Sequence, residues 1–99
     1  MKINKKVNGD KVVIALDGRL DTATSPELEV ALSSITPVAK ELELDFSKLE
    51  YVSSAGLRVL LTAQKNMNAH SGKMCVTHAN DVVRDVFEVT GFSAFINIK

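Results

Sequence analysis

The chain has 99 residues, 45% of them hydrophobic, and its 12 basic side chains balance its 12 acidic ones. This length and apolar content suit one small core, so we expect residues 1–99 to form a single domain. The zero net charge disfavours nucleic-acid binding, which usually requires a basic excess or stripe. No run suits a membrane span or a cleavable signal peptide. The lone cysteine, Cys75, fits a reducing compartment, and we predict a cytoplasmic protein with no membrane or nucleic-acid partner.

The first predicted elements are two strands joined by a tight hairpin. Asn8-Gly9 is a strong hairpin signal because both residues tolerate the positive φ that such turns need. It connects a short strand over about 2–8 to the run KVVIAL at 11–16. Because that run is apolar throughout, we expect a central strand that is covered on both faces and ends at Gly18.

A helix and a third strand follow. Pro26 suits the first helical turn, and either Thr24 or Ser25 can cap it. The segment ELELDF at 41–46 alternates between apolar and acidic residues, which predicts a strand with one buried face and makes Asp45 a strand-end residue. The apolar face of the helix is formed by Leu28, Ala31, Leu32 and Ile35.

The C-terminal half predicts a long helix over 54–69, a strand over 72–78, a short helix from Asn80 to Gly91, and a last strand, SAFINI, over 93–98. Asn80 suits a helix N-cap and Gly91 a helix end. The residues of the short helix expected to face inward are Val82, Val83, Val86 and Phe87. The order β-β-α-β-α-β-α-β implies crossover connections, so we predict an α/β fold with a mixed, mostly parallel sheet packed against helices.

The stretch YVSSAGLRVLL at 51–61 places two serines at the start of the long helix. Either Ser53 or Ser54 can cap this helix, which contributes about 1 kcal/mol. The second interpretation is a phosphorylation switch, because the free N–H groups and partial positive charge of a helix start favour a phosphate. The small residues Ala55 and Gly56 leave the position open to a partner or a modifying enzyme.

The long helix has an apolar arc wider than burial against one sheet requires. One interpretation is a deeply packed central helix. The other is that a flank near Leu57, Arg58 and Leu61 stays exposed for a partner. The residues that cluster on its most apolar side are Leu57, Leu60, Ala63 and Met67.

Three segments together resemble a STAS domain, and specifically the bacterial anti-sigma factor antagonists. LDGRLDTATSPEL at 16–28 is similar to the family's G-x-L-D segment, and LELDFSKLEYVSSAGLRVLL at 42–61 to its D-S-[ST]-G-L helix start. The third segment, at 72–98, resembles the C-terminal strand-helix-strand, and the likeness covers about 3–98. The combination of motifs is specific, whereas either motif alone is not.

The resemblance implies a phosphorylation-switched antagonist rather than an enzyme. Family members bind an anti-sigma factor, often a serine protein kinase, and so release the sigma factor; phosphorylation ends binding, and a metal-dependent serine phosphatase restores it. Counting back from the motif's glycine assigns the phosphorylated serine to Ser54. In the family the aspartate matching Asp21 lies beside that serine. The implied partner surface comprises Asp21, Thr24, Ser53, Ser54, Ala55, Gly56, Leu57, Arg58 and Leu61.

The chain departs from the family pattern at two positions. Ser53 stands where the family often has Asp, and Ala55 replaces a second small hydroxyl residue. The lost acid removes a negative charge, and the second hydroxyl makes Ser53 an alternative phosphorylation site to Ser54. A different function also stays open, namely that of a STAS accessory subunit that binds a lipid-transport ABC ATPase constitutively.

Other reactive side chains lack the spacing of a catalytic or metal site. His70 and His78 form no HxxxH or CxxC-type pattern with Cys75, so we expect no metal and no cofactor. His70 is expected in solvent at a helix end, and Cys75 is interpreted as a small core residue. No G-x-S-x-G elbow supports a hydrolase. We expect a monomer or weak dimer.

Overall fold

The computed structural model describes all 99 residues and contains one five-stranded mixed sheet with strand order β1-β2-β3-β4-β5. β1 pairs antiparallel with β2, and the remaining strands pair in parallel, which confirms the predicted α/β class and element order. The elements are β1 Lys2–Asn8, β2 Lys11–Leu20, α1 Ser25–Ile35, β3 Glu41–Val52, α2 Ser54–Ala69, β4 Lys73–Thr77, α3 Asp81–Thr90, a 3₁₀ turn Phe92–Ala94, and β5 Asn97–Ile98.

The helices cover only one face of the sheet. Parallel strands that follow one another in sequence order, joined by right-handed crossovers, place every connecting helix on the same side. Along β2, Ile14 and Leu16 are fully buried, whereas Val13 and Ala15, which alternate with them, are half-exposed. The expectation that KVVIAL is covered on both faces is therefore wrong, because Val13 and Ala15 point to the open face.

Two strands are longer than predicted. Gly18 does not end β2 but sits at φ +120° in an irregular stretch of the β2–β3 pairing, and the strand continues to Leu20. β3 likewise continues past 46 to Val52. The extension pairs Leu20 with Val52, so two fully buried side chains end neighbouring strands side by side.

Both edges of the sheet, at β1 and β5, differ in detail from the prediction. The hairpin forms, but its two loop residues are Gly9 and Asp10, since Asn8 already pairs with Lys11 and only Gly9 has positive φ. The predicted strand SAFINI is mostly wrong. Its first part forms the 3₁₀ turn, and only Asn97–Ile98 pairs with β4.

The short helix α3 begins and ends where its caps predict. The Asn80 side chain accepts the Val83 N–H at 2.8 Å and donates to the Leu49 carbonyl at 3.0 Å, and Gly91 closes the helix at φ +77°. Val83 and Phe87 are fully buried, but Val82 is 54% exposed, so its inward assignment is wrong.

Cys75 is half-buried on the open face of β4, between the buried Met74 and Val76. Its interpretation as a core residue is wrong because the strand's alternation turns it away from the helices. Burial still raises the pKa of the Cys75 thiol. The thiol is therefore kept mostly protonated at neutral pH.

We expect Asn80→Ala to lower the free energy of unfolding by about 2 kcal/mol, because it removes a helix cap and the hydrogen bond to β3. Urea unfolding followed by circular dichroism measures this change. Asn66→Ala, at an exposed position inside α2, is the matched control and should change stability by less than about 0.5 kcal/mol. Equal effects of the two substitutions would contradict this account of the α3 cap.

Candidate functional site

The candidate site lies where β2 and β3 end together at the carboxyl edge of the sheet. The turn after β2 starts α1, and the turn after β3 starts α2. The Ser53 N–H donates to the Leu20 carbonyl at 2.8 Å and ties the two turns together. The two predicted motifs, which are separated by about 30 residues of sequence, are therefore neighbours in the structure.

The two serines have different environments. Ser53 is the N-cap of α2, and its side chain accepts the Gly56 N–H at 3.4 Å while its carbonyl accepts the Leu57 N–H at 2.9 Å. Ser54 occupies the first helical position, is exposed, and has no hydrogen-bond partner for its hydroxyl within the chain. The structure thus assigns the cap to Ser53 and leaves Ser54 accessible.

Gly56 allows α2 to approach the strand ends closely. A Cβ at this position would lie 2.6 Å from Leu20 Cγ and 3.0 Å from Val52 Cγ2. Both neighbours are completely buried and have no room to move. Gly56 therefore belongs to the support of the site rather than to its surface.

The Asp21 carboxylate holds the turn before α1. It accepts the Ala23 N–H at 3.0 Å, the Thr24 N–H at 3.2 Å and the Thr24 hydroxyl at 3.2 Å. The Thr24 hydroxyl oxygen accepts the Asp21 N–H at 2.9 Å, and its single proton is shared between the Asp21 carboxylate and the Arg19 carbonyl, which lies 2.8 Å away. The hydrogen bond from the Thr24 backbone is the main reason that the pKa of Asp21 lies below its usual range.

The α2 flank is exposed only in part. Leu57 is 3% exposed and packs inward, as the interpretation of a deeply packed helix predicts, so the alternative of an exposed flank is wrong at this residue. Leu61 is half-buried and Arg58 is exposed. Arg58 also lines a shallow groove of about 230 Å³ between α1 and α2, together with Glu29 of α1.

The sequence motifs did not identify the α1 wall of this groove. Pro26 and Glu29 contribute to it, opposite Val59 and Thr62 of α2. Residues three or four apart lie on the same face of a helix. The spacing from Pro26 to Glu29 in α1, and from Ala55 to Arg58 and Val59 in α2, was therefore the available signal for this groove.

The remaining polar candidates lie away from Ser54. His70 caps the other end of the 16-residue α2, about 24 Å along the helix axis, and its Nε2 lies 2.8 Å from the Ala39 carbonyl oxygen. Asp45 accepts the Ser47 N–H at 3.0 Å and pairs with His78 at 3.3 Å. The structure therefore does not bring Ser54 and His70 together as a catalytic pair.

Comparisons with known proteins agree with this arrangement. The family model described as "Mlab, STAS domain" matches residues 3–97. BtrV of Bordetella bronchiseptica, whose name assigns it to the anti-sigma factor antagonists, is 33% identical over 88 residues, which is 88% of this chain and 75% of BtrV. The anti-sigma-B factor antagonist of Listeria monocytogenes is 30% identical over 98 residues, 96% of this chain and 84% of that protein. The chain belongs to the STAS-domain anti-sigma factor antagonists.

The fold of this STAS domain is shared with solved members. The anti-sigma factor antagonist SpoIIAA in its unphosphorylated form has a TM-score of 0.86 at 21% identity, covering 99% of this chain and 88% of that one. The phosphorylated Bacillus SpoIIAA has a TM-score of 0.78 at 20% identity, covering 99% and 91%. No helix of this STAS domain is both long and apolar enough to cross a membrane.

We expect Gly56→Ala to destabilise the STAS domain by about 1–3 kcal/mol, because the added methyl group overpacks Leu20 and Val52 by more than the gain in helix propensity offsets. Thermal and urea unfolding measure this loss. Ser54→Ala, two residues earlier and exposed, should stay within about 0.5 kcal/mol of the parent. A Gly56→Ala variant at least as stable as the parent would disprove the close approach.

We expect Asp21→Asn to destabilise the STAS domain at pH 7, with a loss that shrinks as the pH falls. The folded pKa of Asp21 is lowered, so the stabilisation from its carboxylate is present above the usual Asp pKa of about 3.9 and is lost as the pH falls through the folded value. Urea unfolding at pH 7, 5 and 3 tests this. The same loss at all three pH values would contradict it.

Proposed function

We propose that this STAS domain, residues 1–99, binds a cognate anti-sigma factor through the surface at the start of α2 and thereby releases a sigma factor. The observation that carries the proposal is the exposed Ser54 hydroxyl, held without a partner beside the α1–α2 groove. The names of the two curated relatives described above, both anti-sigma factor antagonists, support the same role. We expect a regulatory binding protein rather than an enzyme.

We further propose that phosphorylation of Ser54 ends this binding. A phosphate adds about −1.5 to −2 charges at neutral pH. The helix start can hold that charge, because its free N–H groups and partial positive charge favour an anion. An interface core tolerates the same charge poorly unless a partner neutralises it. The fold should therefore persist while docking is lost.

The serine kinase would be the anti-sigma factor itself, and a metal-dependent serine phosphatase would reverse the reaction. Ser54 is favoured over Ser53 because the Ser53 oxygen is already occupied by the Gly56 N–H. The phosphorylated and unphosphorylated forms of SpoIIAA, a protein of the same fold, support a switch of this kind. Asp21, on the adjacent turn, would add repulsion toward the phosphate.

One observation favours a second candidate function. Ser53 accounts for the helix cap by itself and replaces the acid that the family often carries, so the local pattern is not that of a standard phosphorylation site. The second candidate is the STAS accessory subunit of a lipid-transport ABC ATPase, which would bind its partner constitutively. It predicts no phosphate on either serine and co-purification with an ATPase.

Phosphopeptide mapping of the protein from its native cells distinguishes these candidates. We expect phosphate on Ser54 in at least one condition among growth, starvation and stress, and its loss in Ser54→Ala. Ser54→Glu should weaken binding to the anti-sigma factor by roughly 100-fold or more, since it places an unpaired charge in the interface.

Ser53→Ala is the matched control, because it removes the neighbouring hydroxyl while keeping Ser54. It should lower stability by about 1 kcal/mol through loss of the cap and should leave phosphorylation in place. Phosphate on Ser53 alone would move the switch by one residue. The absence of phosphate in every condition would overturn the switch and favour the constitutive subunit.

A further inference from the structure

Arg58 is the one arginine of three whose guanidinium has no partner in the chain. Arg19 lies over the Tyr51 ring with its guanidinium carbon 4.7 Å from the ring centroid. Arg84 donates to the Lys99 carbonyl at 2.9 Å and to the Ala79 carbonyl at 3.2 Å. Arg58 belongs to none of the three ion pairs. Its hydrogen bond with a side chain uses its backbone carbonyl, which accepts the Thr62 hydroxyl, and leaves the guanidinium free.

Ser54 and Arg58 are placed to interact along α2. They are four residues apart, both are exposed, and positions i and i+4 lie next to each other on one helix face. The order is also the favourable one, because an acidic group N-terminal to a basic group at this spacing stabilises a helix more than the reverse. The planar guanidinium suits two parallel hydrogen bonds to phosphate oxygens.

We propose that Arg58 is the internal counter-ion of phosphorylated Ser54. This inference rests on the proposed function in one respect, namely that Ser54 is the residue modified. Glu29 lines the same groove as Arg58 and is the competing anion. Glu29 carries one negative charge, whereas the phosphate carries about 1.5 to 2, so the phosphate attracts the Arg58 guanidinium more strongly.

The pairing gives phosphorylation two effects on the docking surface. It adds negative charge at Ser54, and it draws the Arg58 guanidinium away from the groove toward the helix start. Exposed arginines often contribute strongly to protein interfaces. The partner surface therefore loses a free cation in the same step in which it acquires an anion.

The second pKa of the phosphate reports this pairing directly. Phosphoserine is placed at position 54 by genetic code expansion, so no kinase is needed, and the phosphate is titrated by ³¹P NMR at low salt. Arg58 favours the dianion and lowers this pKa, so Arg58→Gln should raise it by about 0.2–0.4 unit. Arg58→Lys should restore part of the difference, and added salt should shrink it.

Lys65→Gln is the matched control, since Lys65 is exposed on the same helix, about 16 Å along its axis from Ser54. It should shift the phosphate pKa by less than about 0.1 unit. Equal titrations of the parent, Arg58→Gln and Lys65→Gln proteins would overturn the pairing. The titration involves no anti-sigma factor and no native kinase, so its result is independent of whether the proposed function holds.

Discussion

The close approach of α2 to the ends of β2 and β3 determines the geometry of the site. It depends on the missing side chain of Gly56, which leaves room for Leu20 and Val52, and on the 2.8 Å hydrogen bond from the Ser53 N–H to the Leu20 carbonyl. A larger residue at position 56 would lift the helix start away from the sheet. With the helix start packed against the strand ends, the first helical residue, Ser54, is exposed to solvent. A charge added there would change the surface of the domain rather than its core.

The one-sided sheet places the candidate site and the open face on opposite sides of the domain. On the open face, Lys11 pairs with Glu43 at 3.2 Å, and Glu43 also accepts the Thr77 hydroxyl at 3.0 Å. Such half-exposed contacts add little stability, but they satisfy polar groups that a partner would otherwise meet. Around the start of α2, by contrast, Ser54 and Arg58 are exposed and unpaired.

Local signals predicted α2 and α3 well, and long-range effects caused the errors. The bounds of α2 follow from a serine cap and a sustained apolar period, and those of α3 from Asn80 and Gly91. Gly18 was expected to end β2 because a glycine commonly breaks a strand, yet here it fits an irregular pairing with β3 that depends on a distant segment. The sequence of apolar and polar residues along one strand also does not reveal which face of the sheet stays uncovered, since that depends on the strand order. The site motifs were identified from the family pattern, and the apolar period of α2 already placed Leu57 on its most apolar side, whereas the α1 wall of the groove required the packed helices.

Ser53 stands where the family often has an aspartate, and this replacement changes the net charge at the start of α2. A serine accepts the Gly56 N–H without adding charge, the first turn of α2 holds no acidic residue, and the Asp21 carboxylate is bound within its own turn. Over residues 54–58 of α2, Arg58 is then the only charged group in the unphosphorylated state, so this segment carries a charge of +1. Adding a phosphate of about −1.5 to −2 brings the sum to about −0.5 to −1, so the sign reverses. With an aspartate at position 53 the same turn would start near zero, and a phosphate would deepen a negative charge instead of reversing a positive one. On the α2 side of the groove, phosphorylation of Ser54 would therefore reverse the sign of the charge, whereas Glu29 on the α1 side stays negative in both states. A partner that carries an acidic group opposite Arg58 would discriminate between the two states.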